Sequence, residues 1–245
     1  MHPALCALFP SDCFGCGRPL DPRHLWGACS DCWSSLAPLP EPVCPTCGLP
    51  RPAATDLLGL AQGRCAACLL SPPGPDAIRA AVAYDDLARR FVLRGKYGRR
   101  REIFEALGVH VARAVVATGF AQECTVVVPV PSHPLTALRR GFNPALEIAR
   151  QVAKLAGIPL AAGLLTRSWK RPGVAKRLGR SGRRRAVSGA FRAPRRIRSQ
   201  RVLLVDDVLT TGATAAACAG VLREAGATEV KVAVWARTLR HRSSV

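Results

Sequence analysis

Four copies of one spacing constrain this chain more than any other feature. Cys13-Phe-Gly-Cys16-Gly17 precedes Cys29-Ser-Asp-Cys32, and Cys44-Pro-Thr-Cys47-Gly48 precedes Cys65-Ala-Ala-Cys68. All four are C-x2-C, and in each half the first pair is followed by glycine and the second is not. A C-x2-C turn points two thiolates at one ion, and the glycine lets the backbone fold back with its N–H groups toward the sulfurs. The repetition favours sequential pairing: Cys13, Cys16, Cys29 and Cys32 on one ion, and Cys44, Cys47, Cys65 and Cys68 on a second. The intervals, residues 17–28 and 48–64, are ribbon-sized. An interleaved cross-brace would not produce this repeat, and redox chemistry at a single C-x2-C, the competing reading, does not need four pairs. Four cysteine ligands leave no open position, so both zinc sites read as structural. The region has too few apolar residues to hold itself together, and metal binding worth ~10–16 kcal/mol per site supplies the missing stability. Cys6, Cys124 and Cys218 stand alone and read as small buried apolar residues.

At 245 residues the chain is long enough for one or two domains, and 49% of it is apolar, enough for a real core. The start, MHPALCALFPSDC, has no basic n-region and its apolar stretch stops at Pro10, so it does not read as a signal peptide. No apolar run approaches the ~18 residues of a membrane span. The expectation is a soluble cytoplasmic protein, where eleven cysteines mean metal ligands and thiols and not a disulfide framework. Lys and Arg outnumber Asp and Glu 36 to 16, a net charge of +20. That surplus points to a polyanionic partner (nucleic acid, a phosphorylated substrate or an anionic membrane surface), against the plainer alternative of a solvated Arg-rich face.

After Cys68, Ser71 to Asp76 (SPPGPD) reads as a linker, which divides the chain into a zinc-ribbon domain at 1–72 and an α/β domain at 73–245. Ile78 to Tyr84 is strand-like. Leu87 to Val116 has helical spacing broken around LRGKYGRRR. Thr125 to Pro131 is a β-branched run stopped by prolines, a buried strand followed by a turn. Pro144 to Leu155 fits a helix, a short strand lies near Leu164, RVLLV is a buried strand, and Gly212 to Ala225 is a helix ending at Gly226. Glu229 to Ala236 is the last strand. Strands alternating with helices predict a mainly parallel sheet, with ligands bound beyond the carboxyl ends of its strands. Val130–Ser132 and Asp206–Thr214 then share one rim. Neither a P-loop nor a G-x-G-x-x-G after a strand is present.

Within Arg201 to Ala217, RVLLVDDVLTTGATAAA, two acids stand side by side in a chain with few of them. With Val202 to Val205 as a central strand, Asp206 and Asp207 emerge at its carboxyl end. Adjacent carboxylates repel, so the pair suggests a ligand that uses both, either sugar hydroxyls or a magnesium ion. Thr210, Thr211, Gly212, Ala213 and Thr214 then open a helix, whose free N–H groups and partial positive charge suit a phosphate. Together they read as a cradle for a ribose 5-phosphate. An Asp/Thr capping turn without ligand, a Walker-B-like strand and a receiver domain are the alternatives; the last two lack the P-loop and an acid pair near the domain's start.

Here the chain resembles a family. VLLVDDVLTTGAT, Val202 to Thr214, is similar to the phosphoribosyl-pyrophosphate motif of type I phosphoribosyltransferases. VVPVPS, Val127 to Ser132, resembles the pyrophosphate loop of the amidophosphoribosyltransferase-like members. The whole plan, a double zinc ribbon followed by YDD, LRGKYG, VPVPSHPLTALRRGFN, GAFR and VDDVLTTGAT, resembles the ComF family (competence protein F-like, ComF/GntX), which includes DNA-uptake factors. The resemblance implies a type I phosphoribosyltransferase fold. It implies Asp206 and Asp207 on the ribose hydroxyls with Mg²⁺ nearby, Thr210 to Thr214 on the 5-phosphate, and Val130, Pro131 and Ser132 at the pyrophosphate. It also implies a flexible basic loop that closes over the site.

That loop is Arg167 to Phe191. No acidic residue occurs from Ile148 to Val205, and Arg167, Lys170 and Arg171, together with Arg139 and Arg140 upstream, are the candidate cations. Preplaced positive charge would stabilise a leaving pyrophosphate, and the same stripe could track a nucleic-acid backbone. Family members often carry Gln-x-x-Leu here and Asn shortly before Ala-Phe. This chain has Ala175 before Leu178 and Ala186 before Ala190-Phe191, which puts ordinary turnover in doubt. The expected function is a phosphoribosyltransferase with an unidentified acceptor. The alternatives are a non-catalytic factor handling single-stranded DNA with DNA-uptake proteins, and a sensor of phosphoribosyl pyrophosphate.

Overall fold

The computed structural model describes residues 12–20, 27–51, 63–70, 74–169, 189–193, 197 and 200–239, and the statements below concern those residues. In chain order the elements begin with two one-turn helices, α1 (Ser30–Ser34) and α2 (Ala66–Leu70). Next come β1 (Ala77–Ala83), α3 (Asp86–Tyr97), α4 (Arg101–Ala117), β2 (Val126–Pro129), α5 (Pro134–Arg140) and α6 (Pro144–Ala156). The chain closes with β3 (Thr166–Arg167), β4 (Phe191–Arg192), β5 (Arg201–Leu209), α7 (Ala213–Glu224) and β6 (Glu229–Arg237).

The main sheet runs β1-β6-β5-β2 and every pairing in it is parallel. Its central strands are near-continuous apolar runs because both faces are covered. On one face Leu203, Val205, Ala233 and Trp235 pack against α3, α4 and α6; on the other Val202, Leu204, Val232 and Val234 pack against α7. Connections into β5 run over the first face through α6, and the connection out runs over the second through α7. The carboxyl end of β5 is therefore where the winding changes face, the place open α/β sheets bind ligands.

The helical stretch predicted from Leu87 to Val116 is two helices, broken at Gly98–Arg100 inside the LRGKYGRRR segment. Arg99 takes a left-handed φ of 53° there. The strand sought near Leu164 is the two-residue β3, paired antiparallel with β4, while Leu164 itself is buried in the core. Two expectations need correcting. Asp206 and Asp207 do not lie beyond the strand: β5 continues to Leu209, with Asp206 in register with Val234 and Leu209 with Arg237, because β6 supplies partners that far. Arg139 and Arg140, grouped with the basic loop, instead form the last turn of a helix, α5. Pro134 starts it, and Gly141 ends it with φ 86°, its N–H bonded to Ala137 O.

The two ribbons repeat one geometry. Cys13 N donates to Arg18 O and Gly17 N to Cys13 O; Cys44 N donates to Leu49 O and Gly48 N to Cys44 O. Gly17 and Gly48 take φ of 81° and 67°, which explains glycine after each of these pairs. The second pairs enter the one-turn helices, with Cys32 in α1 and Cys68 in α2. The first ribbon's Cys13, Phe14, Ala28 and Leu36 belong to the same apolar core as α3 and α4.

Candidate functional site

Strand alternation separates the two acids. Successive side chains on β5 point to opposite faces. Asp207 follows Leu203 and Val205 onto the face of α3, where Lys96 Nζ pairs with its Oδ2. Asp206 faces α7, close enough to Cys218 to help raise its thiol pKa. Past Pro129, strand β2 stops supplying acceptors to β5, and the Asp207 N–H donates to Asp206 Oδ1 at 2.9 Å. Asp207 Oδ1 in turn accepts the Val208 N–H at 2.9 Å. Burial, then the neighbouring Asp207 carboxylate, push Asp206 far above the usual carboxylate range, to about 8.

Three groups surround this pair. The first is the loop into α7. Gly212 has φ 76°, and a Cβ there would meet nothing within 4 Å. The first i to i−4 bond is Ala216 N to Gly212 O, so the N–H groups of Ala213, Thr214 and Ala215 have no partner inside the helix. Ala213 N reaches Thr211 Oγ1 at a long 3.4 Å. The second is the turn after β2. Val130 N donates to Val205 O at 2.9 Å, which fixes the turn of Val130, Pro131 and Ser132 beside the β5 acids. Asn143 braces it: Ser132 Oγ donates to Asn143 Oδ1 at 2.8 Å, and Asn143 Nδ2 donates to Val130 O at 3.0 Å. The same Oδ1 accepts Ala145 N at 3.2 Å and caps α6. The third is cationic. Beside Lys96, Arg140 Nε donates to Lys96 O at 3.2 Å; burial weighs against its charge, and Asp207 opposes that effect. Arg167 stacks its guanidinium over Phe191, 5.3 Å from the ring centroid, and acts on the Cys218 thiol against Asp206. Lys170 and Arg171 lie outside the described residues, as do Ala175 and Ala186. Lys96 and Asn143 were not among the predicted site residues. The Asn-Pro pair at 143–144 is a cap followed by proline at N1, a local signal for Asn143, which also closes the RRGFN segment of the family motif.

The eight cysteines assemble into two clusters, Cys13, Cys16, Cys29, Cys32 and Cys44, Cys47, Cys65, Cys68, each with all sulfurs within 4.8 Å of one another. Separations of 3.6 Å for Cys13–Cys29, 3.9 Å for Cys16–Cys29 and 3.8 Å for Cys47–Cys65 fit the ~3.8 Å edge of a tetrahedron with Zn–S bonds of about 2.3 Å. Backbone N–H groups point at the sulfurs of each cluster, among them Cys29 N donating to Cys13 Sγ at 3.3 Å and Cys65 N to Cys44 Sγ at 3.4 Å. A hydrogen bond from Cys47 drops Cys44 to about 4, while burial lifts Cys32 and Cys68 to about 12. So crowded a set of thiols ionises together only around a cation. Of the cysteines expected to be plain core, Cys124 and Cys218 are buried, and Cys6 lies outside the described residues.

A parallel sheet with an acid pair at its switch point and two closed four-cysteine sites defines a class: a phosphoribosyltransferase fold carrying a double zinc ribbon. Residues 4–69 match the double zinc ribbon domain and residues 110–244 the phosphoribosyl transferase domain. The chain belongs to the ComF family. It is 31% identical over 234 residues to the "DNA utilization protein YhgH" of Escherichia coli O157:H7, covering 94% of this chain and 98% of that one. It is 28% identical over 213 residues to "Competence protein F" of Haemophilus influenzae, covering 84% and 88%. Among solved structures, the glutamine phosphoribosylpyrophosphate amidotransferase of B. subtilis is 28% identical over 54% of this chain and 25% of its own, with a TM-score of 0.38.

Proposed function

We propose that this protein binds phosphoribosyl pyrophosphate with Mg²⁺ at the carboxyl end of β5 and transfers its phosphoribosyl group to an acceptor yet to be identified. The observation that carries this reading is the juxtaposition of Asp206 with the open first turn of α7. The acid and the first N–H groups of α7, which have no partner inside the helix and of which Ala213 N meets only the distant Thr211 Oγ1, lie on one side of the strand, the donors a 5-phosphate needs next to the acceptor a ribose needs. Thr210, Thr211, Gly212, Ala213 and Thr214 hold the phosphate. Asp206 takes ribose hydroxyls, with Asp207, held by Lys96, on the far side of the strand end. Val130, Pro131 and Ser132 face the pyrophosphate. The described residues hold no cluster of three acids in which Mg²⁺ could be caged, which fits an ion carried largely by the ligand's own phosphates and water. When bound, Mg²⁺ neutralises the developing charge of pyrophosphate. In the transfer, a bond from the acceptor to ribose C1 forms while the C1–O bond to pyrophosphate breaks, and the electron pair leaves with pyrophosphate. Lys96, Arg140 and Arg167 supply preplaced positive charge around that departure, with Lys170 and Arg171 as further candidates.

Titration calorimetry tests the reading. Asp206→Asn should weaken binding by about tenfold or more, the loss of a charge-assisted hydrogen bond. Wild-type affinity in this variant would refute it.

A second reading, a non-catalytic factor for single-stranded DNA acting with DNA-uptake proteins, draws on the names of the relatives and on the basic surface. Tyr97, 81% exposed, stands beside Lys96, Arg99 and Arg100, an aromatic among cations. Affinity for single-stranded DNA should then fall steeply with salt, and a flat response would exclude it. Either reading is consistent with a cytoplasmic protein, where eight zinc thiolates persist. Among the described residues no helix is long and apolar enough to cross a membrane.

A further inference from the structure

Helix α3 is held from two directions. On the ribbon side Arg94 Nη1 donates to Cys13 O at 2.6 Å and to Phe14 O at 3.1 Å, and Arg90 Nε donates to Gly15 O at 3.2 Å. All three carbonyls belong to the turn that carries Cys13 and Cys16. The fit is close. A Cβ on Gly17 would lie 2.9 Å from Arg94 Nη2, and one on Gly15 would lie 2.6 Å from Cys32 Sγ. Phe91, one turn before Arg94, packs against Phe14 and Trp33 of the same ribbon at centroid distances of 6.3 and 5.3 Å.

On the sheet side, two residues beyond Arg94, Lys96 Nζ pairs with Asp207, and Lys96 O accepts Arg140 Nε. Residues two apart on a helix are rotated by about 200°, so one short rod presents its ribbon anchors on one flank and its site cation on the other. The second ribbon is fastened elsewhere. Gly48 lies against Ile78 O, where a Cβ would sit 2.4 Å away, and Arg79 Nη1 donates to Pro45 O at 3.0 Å. Ile78 and Arg79 belong to β1, which β6 separates from β5.

We infer that Arg94, assisted by Arg90, is a positioning residue: the metal-bound first knuckle fixes α3 so that Lys96 rests on Asp207, and the second knuckle has no such role. The metal in the first site thereby sets the state of the acid pair. Four thiolates around an ion hold the carbonyls of Cys13, Phe14 and Gly15 where Arg94 and Arg90 find them. Without that ion the thiols reprotonate and lose the centre that ties them together, the turn opens, and α3 loses three anchors at once. The ligand arm of the test below rests on the acid pair being a phosphoribosyl-pyrophosphate site; the exchange arm does not.

The experiment is hydrogen exchange on the full zinc-loaded chain, following the α3 amides, combined with calorimetry of phosphoribosyl pyrophosphate and Mg²⁺ and with zinc counted per chain. Arg94→Ala keeps all eight thiolates. It should retain two zinc ions, speed α3 exchange by about tenfold and weaken the ligand by about fivefold. Cys16→Ser, at an exposed ligand position, should lose one ion and reproduce both effects. Arg79→Ala, which releases the second ribbon's stitch, should leave α3 exchange and ligand affinity within about twofold of wild type. In a Lys96→Met background Arg94→Ala should cause no further loss of affinity, because Arg94 acts through Lys96. Unchanged α3 exchange in Arg94→Ala, or equal loosening in Arg79→Ala, overturns the inference. Additive loss in the double variant overturns the route through Lys96. If Cys16→Ser fails to fold, Arg94→Ala decides alone. If wild type binds no phosphoribosyl pyrophosphate, the functional reading falls and α3 exchange still decides the coupling.

Discussion

Affinity for phosphoribosyl pyrophosphate should depend on pH through Asp206. A ribose diol donates two hydrogens, and a carboxyl that accepts both must be ionised. Burial and the charge of Asp207 raise this carboxyl from an ordinary 3.8 to about 8, so at neutral pH the free protein holds the proton and the ligand must displace it. With a value near 8 the ionised fraction is about one half at pH 8 and about one hundredth at pH 6. The dissociation constant should therefore rise about fiftyfold over that interval, equivalent to ~2.3 kcal/mol.

Folding is linked to the same proton with the opposite sense. A raised acid pKa means the native state keeps a proton that the unfolded chain has released. This group's contribution to stability is complete below about pH 3.8, declines as pH rises toward about 8, and is level above. The free protein should lose this increment on going from pH 5 to pH 8 while stabilisation by ligand grows. Calorimetry at pH 6, 7 and 8 in buffers of different ionisation enthalpy, at fixed Mg²⁺, measures both affinity and protons released. Protonation of the ligand's own phosphates is common to wild type and Asp206→Asn and cancels in their ratio. A ratio that stays constant from pH 6 to pH 8 would refute the reasoning.

Three further outcomes follow from the packing. Lys96→Met should destabilise the fold by about 2 kcal/mol, less than the loss of a fully buried partner because Lys96 is a quarter exposed and Arg140 remains; Lys96→Met with Asp207→Asn should recover most of it, measured as a thermal double-mutant cycle. Asn143→Ala should cost about 1–2 kcal/mol in denaturant titration, since one side chain caps α6 and bridges Ser132 to Val130. Gly48→Ala should speed zinc loss to a chromogenic chelator, because it strains φ 67° and drives a methyl onto Ile78 O; Gly141→Ala, with φ 86° and open space, should cost about 1 kcal/mol and leave zinc release unchanged.

What the sequence revealed and what it hid divide along physical lines. The ribbons were legible because thiolate coordination needs fixed spacing and glycine at fixed places, so Gly17 and Gly48 announce the turn they make. The core strands were legible because strands covered on both faces must be apolar throughout, as in Val126–Val128 and Val202–Val205. Lys96 was hidden because its partner is 111 residues away (207 minus 96), and nothing local tells a lysine in a helix's last turn from a solvated one. Arg94 was hidden for the same reason: its acceptors are backbone carbonyls, which carry no sequence signature. The extent of β5 was misjudged because an acid looks like a strand terminator, whereas the register with β6 carries the ladder through both acids.

That register also accounts for two adjacent acids in a chain of +20. On a helix or in a loop, neighbouring carboxylates would share one environment and repel with little to relieve them. On a strand, period two sends them to opposite faces, and each meets a different neighbour. Asp207 meets the Lys96 ammonium, with Arg140 close by. Asp206 meets burial, a single backbone N–H and the open mouth of α7, and it carries the unrelieved part of the repulsion as a retained proton. The pair is thus asymmetric before any ligand arrives: one acid is already neutralised by the protein, and the other waits for hydroxyl donors or a cation. Reversing that assignment would require moving a cation from α3 to α7. The last turn of α3 carries Arg94 and Lys96, while α7 in its first turn carries only Ala, Thr and small residues. The division of labour between the acids is therefore set by the helices and not by the strand that bears them.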